Sequence, residues 1–242
     1  MPSSKDRADP RDRMAGRFRK IWLDWRGFVL FVAVMLVFRS AIADWNHVPS
    51  GSMEPTILTG ERIVVDKLAY SLRVPFALAR IAEWADPERG DIITFLNPKD
   101  GRQFIKRVIG VPGDTVELRR NKLIINGVEA TYEPLTEEER ADLRIRPSST
   151  HRVLRETILG ESRTIMVLRY PNDPGYASFR RYKVPEGQYL VLGDNRDNSG
   201  DFRRIGPISQ ERILGRAHAI AFSLDSDNYY APRVDRFFID LF

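Results

Sequence analysis

Hydrophobic positions fall into two regimes along this chain. Over residues 28–38 they run unbroken as FVLFVAVMLVF, and Ile42 with its flanking alanines carries the apolar character past Arg39. From residue 48 onward they come as short runs divided by clusters of Gly, Pro, Asn and Asp. Runs of that length and spacing are what strands and turns leave in a sequence. They predict strands over 62–66, 91–96, 103–109, 115–118, 122–125, 164–170, 189–192 and 216–222, hence a mainly β fold. Asn126-Gly127 after an apolar run marks a hairpin, and Val111-Pro112-Gly113-Asp114 a second tight turn. Residues 78–84 read as a short helix. Residues 136–162, dense in charge and holding Pro147, Ser148, Ser149 and Gly160, read as an elaborated loop or small insertion. The end of the chain sets Arg233, Arg236, Phe237, Phe238, Ile239, Leu241 and Phe242 at roughly helical spacing, expected to pack on the core, with lipid contact as the alternative.

The long apolar tract has two readings. A bilayer core of roughly 30 Å asks for about 20 apolar residues in a helix, so a membrane span has to recruit residues 21–23 or let Arg39 snorkel to the interface. Trp22, Trp25 and Trp45 stand at its two ends, where indoles favour the headgroup region, and the basic stretch upstream places the N-terminus on the cytoplasmic side. The rival is a cleavable signal peptide, for which Ala41-Ile42-Ala43 supplies a small-x-small cleavage site. Local sequence leaves these two even; the motifs that begin at Pro49 favour the anchor, with Ala-Ile-Ala kept as a candidate self-cleavage site.

Charge sharpens this picture. Lys and Arg outnumber Asp and Glu by 38 to 33, but residues 1–26 hold eight basic side chains against four acids, so the rest is nearly balanced and a nucleic-acid surface is a poor inference. Without cysteine there are no disulfides, thiolate metal sites or cysteine nucleophiles. His47, His151 and His218 are scattered without metal-ligand spacing, so no metal and no cofactor is expected.

Three segments carry candidate chemistry. Val48-Pro49-Ser50-Gly51-Ser52-Met53-Glu54-Pro55-Thr56-Ile57 follows the apolar tract, framed by prolines that fix the backbone and a glycine that admits close approach. Such a loop can aim a hydroxyl and an amide at one carbonyl, as an oxyanion hole requires; an ordinary polar turn is the alternative. A serine nucleophile needs a base. His47 is separated from Ser52 by a few residues of taut chain, and no Gly-x-Ser-x-Gly elbow is present, which argues against a histidine triad. In Gln103-Phe104-Ile105-Lys106-Arg107-Val108-Ile109, strand alternation puts Lys106 with Phe104 and Val108 and turns Arg107 the other way. Apolar company can lower an amine from about 10.4 by some two to three pH units, although a solvent-facing edge lysine fits the spacing as well. The third segment, Gly193-Asp194-Asn195-Arg196-Asp197-Asn198-Ser199-Gly200-Asp201-Phe202-Arg203, is either a plain turn or a charge-paired scaffold in which Ser199 orients a neutral lysine.

Together these segments resemble the bacterial type I signal peptidase family, Ser/Lys serine proteases whose boxes read Pro-Ser-x-Ser-Met-x-Pro-Thr, Arg-Gly-Asp, Lys-Arg-x-x-Gly-x-Pro-Gly-Asp and Gly-Asp-Asn-x-x-x-Ser-x-Asp-x-Arg. All four stand here in order, at residues 49–56, 89–91, 106–114 and 193–203. The resemblance, over roughly 28–224, implies Ser52 as nucleophile, Lys106 as general base, Ser50 with the Ser52 amide as oxyanion hole and Ser199 as the serine that orients the lysine. It implies structural support from Gly193, Asp194, Asn195, Arg196, Asp201 and Arg203, with Arg196 and Arg203 as partners of Asp201. Val48, Pro49, Met53, Phe104 and Ile105 would flank a cleft that accepts Ala at the first and third positions before the cut.

The implied architecture is a β-rich catalytic core (45–118 and 185–224) interrupted by a second β domain (119–184). A cytoplasmic tail (1–26) and one transmembrane anchor (27–44) precede it, and a C-terminal tail (225–242) follows. It implies residence in the bacterial inner membrane with the catalytic part on the periplasmic face, and signal peptides of secretory preproteins, lipid and the protein export channel as partners. Two features depart from the family pattern: only one span is visible where relatives can have two, and Asn46 and Glu54 stand where relatives are often apolar. Within the same chemistry, a Ser/Lys peptidase with a dedicated client is the competitor, a self-cleaving repressor being disfavoured for want of a DNA-binding segment; outside it, a membrane-tethered β domain that only binds partners leaves the four boxes unused.

Overall fold

The computed structural model describes residues 10–77, 79–143, 150–170, 177–225 and 228–241. In chain order the elements are α1 (Pro10–Ala41), β1 (Ala43–His47), β2 (Glu61–Asp66), β3 (Ser71–Arg73), β4 (Arg80–Glu83), β5 (Ile92–Leu96), β6 (Gln103–Gly110), β7 (Thr115–Arg119), β8 (Lys122–Ile125), β9 (Val128–Glu129) and β10 (Thr131–Pro134). There follow α2 (Glu137–Asp142), β11 (His151–Ile158), β12 (Glu161–Leu168), β13 (Phe179–Lys183), β14 (Gln188–Leu192), α3 (Phe202–Ile205), β15 (Ile208–Ser209), β16 (Ile213–Asp225), β17 (Ala231–Pro232) and β18 (Ile239–Asp240). The mainly β expectation holds.

The central sheet runs β1-β2-β16-β5-β6-β14-β15, with β17 and β18 paired to β16. Alternation explains its register: β2 buries every second residue, and Ile63 and Val65 face a core shared with Val48, Met53, Ile57, Ile92, Ala217 and Ile220. A second core, built from Ile93, Phe95, Val108, Tyr189 and Val191, packs on the central strands β5, β6 and β14. These interior strands are buried on successive residues, as in β14 (Tyr189 to Leu192), because cores lie on both of their faces. The segment between β7 and β14 adds a sheet β13-β7-β8-β9 and the three-stranded β10-β11-β12.

Three expectations change. Residues 80–83 form a strand, β4, paired with β3, where a helix was expected; a short run containing Ile81 and Ala82 satisfies either period, and pairing with β3 decides it. Residues 136–162, expected as loop, open with α2, whose N-terminus carries a capping box between Thr136 and Glu139, and continue into β11, paired over its whole length with β12. The C-terminal segment packs on β16, as expected, but through β17, a 3-10 turn at Val234–Arg236 and β18, with no α-helix.

In α1 the apolar side chains from Phe28 to Phe38 are all exposed, on every side of the helix. Asp24, Arg26 and Arg39 close the run at both ends, and among the described residues no helix is long and apolar enough to cross a membrane. The Ala41-Ile42-Ala43 stretch passes from α1 straight into β1, where Ala43 pairs with Asp66, so the peptide bond after Ala43 lies inside a paired strand.

Candidate active site

The loop between β1 and β2 turns at Gly51–Met53 as a single 3-10 turn. Met53 anchors it: its side chain is fully buried among Val48, Ile57 and Ile63. This corrects the expectation that Met53 borders the cleft. The anchoring presents Ser52, next in the chain, toward β6. A Cβ at Gly51 would meet the Glu54 carboxylate at 2.7 Å, which that flexible side chain would have to move to admit. Glu54 is held over the turn by the Thr59 hydroxyl at 3.2 Å.

β6 delivers the amine. Lys106 is 3% exposed, and its Nζ lies 2.7 Å from Ser52 Oγ and 2.7 Å from the Ile105 carbonyl. The Phe104 ring centroid is 5.6 Å from the same nitrogen. Burial disfavours the ammonium and pulls the lysine down from 10.5 to about 8, against the opposing pull of the Asp201 and Asp194 carboxylates. Ser50 Oγ sits 3.4 Å from Ser52 Oγ. These groups open into a cavity of about 340 Å³ bordered by Val48, Pro49, Phe104, Ile105 and Ser199. His47 is exposed at the end of β1 and does not line it.

Alternation sends Arg107 to the opposite face, where its guanidinium grips Asp194 at 2.9 and 2.7 Å and the Gly90 carbonyl at 2.8 Å. Asp194 also accepts from the Thr56 hydroxyl at 2.6 Å. Asn195 donates its side-chain amide to the Gly51 carbonyl at 3.0 Å and its backbone N–H to the Ser52 carbonyl at 3.2 Å. The Gly51–Met53 turn and the 193–201 loop are thereby stitched together beside the lysine. Gly193 donates its N–H to Asp201 at 3.0 Å, and a Cβ on it would collide with the Ser199 hydroxyl and the Ser52 carbonyl. The Arg89 fork on Asp114, 2.7 Å for each bond, braces the turn after β6.

Two expected pairings differ. Arg203 does bind Asp201, at 2.8 and 2.6 Å, and also the Arg196 carbonyl. Arg196 itself turns away from Asp201 and forks onto Glu156 of β11, at 2.6 Å for both bonds. Ser199 lies buried at the cleft, and among the described residues its hydroxyl has no hydrogen-bond partner, the lysine included. Sequence reasoning missed Glu156, Thr56 and the C-terminal Arg236. Thr56 stood inside a recognised box. Glu156 had one local signal, a charged residue in the buried phase of the β11 alternation.

Comparison with known proteins then bears on this geometry. The family model described as "Signal peptidase, peptidase S26" matches residues 22–222. Signal peptidase I of Pseudomonas aeruginosa is 35% identical over 213 residues, covering 82% of this chain and 71% of its own. Signal peptidase I of Aquifex aeolicus is 36% identical over 225 residues, covering 81% and 82% respectively. Among solved structures, a signal peptidase I from Enterococcus faecalis V583 is 34% identical and covers 55% of this chain and 97% of its own, with a TM-score of 0.32.

Proposed function

The chain belongs to the signal peptidase family, peptidase S26, and from that premise we propose that it removes N-terminal signal peptides from exported preproteins by a Ser52–Lys106 dyad. The observation that carries the reading is the buried Lys106 amine 2.7 Å from the Ser52 hydroxyl. In its neutral form the amine has a lone pair for the hydroxyl proton and two N–H bonds, one of which satisfies the Ile105 carbonyl.

Ser52 Oγ attacks the scissile carbonyl while Lys106 Nζ takes its proton. The oxyanion of the tetrahedral intermediate is received by the Ser50 hydroxyl and the Ser52 amide. The ammonium of Lys106 then gives its proton to the leaving amine, which departs as the new N-terminus of the mature protein and leaves the signal peptide esterified to Ser52. Water, deprotonated by the now neutral lysine, attacks that ester, and collapse of the second intermediate returns the proton to Ser52. The small apolar cleft bordered by Val48, Phe104 and Ile105 suits alanine at the first and third positions before the cut.

We place the catalytic part beside a membrane, tethered by residues 27–44 with the N-terminal tail inside the cell and the β domains on the periplasmic face. The all-round apolar exposure of α1 and the indoles at its ends support this. Lipid and the export channel are then its surroundings. Turnover of an Ala-x-Ala peptide in detergent tests the dyad. Ser52→Ala and Lys106→Ala should each lose at least about a thousandfold in kcat, and Ser50→Ala about a hundredfold; full activity in either dyad variant would end the proposal.

A further inference from the structure

We infer that Glu156, on the β11–β12 hairpin, is a positioning residue for the Ser52–Lys106 dyad, acting through Arg196 on the loop that holds the nucleophile turn. The inference rests on the dyad reading above and adds to it a residue outside the four boxes, from the far side of the 194–196 loop.

Glu156 and Arg196 are both 0% exposed. The carboxylate is saturated: Arg196 Nη1 and Nη2 at 2.6 Å each, Arg163 Nε at 2.7 Å and the Tyr132 hydroxyl at 2.8 Å. The backbone reinforces the clasp. Met166 of β12 donates its N–H to the Asp194 carbonyl at 2.9 Å and accepts from the Arg196 N–H at 2.8 Å, so residues 194–196 ride on the hairpin as a short parallel bridge. The other side of the same three residues faces the chemistry. Asn195 holds the Gly51 and Ser52 carbonyls, and Asp194 holds Thr56 together with Arg107, the residue after Lys106.

Remove the negative charge and Arg196 becomes a cation in the interior without its counter-ion, a state costly enough to drive rearrangement. The loop cannot release Arg196 toward water without shifting residues 194–196, and those residues end on the carbonyl of the nucleophile itself. Misplacement by about 1 Å is enough to cost a dyad of this kind on the order of a hundredfold. Neither Glu156 nor Arg196 lines the cleft, so substrate affinity has no reason to change.

The test is Glu156→Gln, which keeps the shape but turns an amide donor toward arginine donors. On an Ala-x-Ala peptide we expect kcat to fall about 10- to 100-fold with KM within about twofold. We also expect the Lys106 titration, followed by NMR on the labelled amine, to move upward from about 8 as water enters. Arg163→Met, which leaves the Arg196 fork intact, should keep kcat near the parent value. If Glu156→Gln does not fold, Arg196→Lys, which keeps the charge without the fork, carries the same expectation. A folded variant with parental kcat and an unmoved lysine titration, or a loss confined to KM, overturns the inference. The lysine titration reads the positioning without turnover, so a parent protein inactive on the peptide would count against the protease reading alone.

Discussion

Lys106 shows what a buried amine costs its fold. Lowering the amine from 10.5 to about 8 corresponds to on the order of 3 kcal/mol against the folded state when the lysine is charged in the unfolded chain. The sign follows from the folded value lying below the unfolded one. The penalty is whole below about pH 8, shrinks as pH rises from there to 10.5, and is absent above. In return the neutral base is present at about one part in ten at pH 7, so activity should climb about tenfold per pH unit up to about 8 and level beyond it. Alternation in β6 grouped Lys106 with Phe104 and Val108 but left a solvent-facing edge lysine equally open; burial between the Ser52 turn and the 193–201 loop decides it. The residue pattern could not assign the Arg196 partner: Glu156 lies 40 residues away in sequence, and only the docking of the hairpin brings the two together. Glu156 has the opposite sign. Arg196 and Arg163 hold its carboxyl down to about 2 despite burial, so its contribution is full above 4.5 and disappears as pH falls toward 2.

At the scale of elements, the C-terminal segment matters more than its spacing suggested. The turn at Val234–Arg236 sends the Arg236 guanidinium into the core, to Glu61 at 2.5 and 3.2 Å and to the Thr56 carbonyl at 2.9 Å. Glu61 in turn accepts the Leu58 N–H at 2.8 Å. The end of the chain thus pins the far side of the nucleophile loop. Arg236→Met would leave the Glu61 carboxylate buried and alone, and should lower unfolding stability by about 3 to 5 kcal/mol in thermal or denaturant melts; adding Glu61→Leu should restore most of it. If the single variant melts like the parent, the pin contributes nothing. The apolar positions of the C-terminal segment looked helical, but the described residues up to 241 hold a 3-10 turn and strands that pair with β16, a division set by a partner that local sequence does not contain. β11 was hidden for a related reason: Arg152, Arg155 and Glu156 make it look like a solvated loop, whereas Glu156 is buried by its pairing with Arg196 and Arg163.

Across the whole molecule, the central sheet converts four separated boxes into one site. β6 carries the lysine, β14 leads into the 193–201 loop, and the turn between β1 and β2 carries the serine, so the order of strands in the sheet sets the meeting point. The mainly β class and the strands of the core were legible as short apolar runs bounded by turn residues; the sheets between β7 and β14 were only partly so, because their shortest strands lack a full period. The helix α1 meets the domain only at its C-terminal end among the described residues, and its apolar surface from Phe28 to Phe38 is exposed. If lipid covers it, the full chain should float with phospholipid vesicles in a density gradient, and Val32→Glu with Leu36→Lys should leave it at the bottom; equal flotation of both proteins would remove the anchor from the account. The central claim, a buried amine beside a serine whose proton affinity burial has lowered, is tested most directly by an NMR pH titration of the labelled Lys106 side chain in the folded protein. A midpoint near 8 is the predicted result, and a midpoint near 10.5 would contradict it.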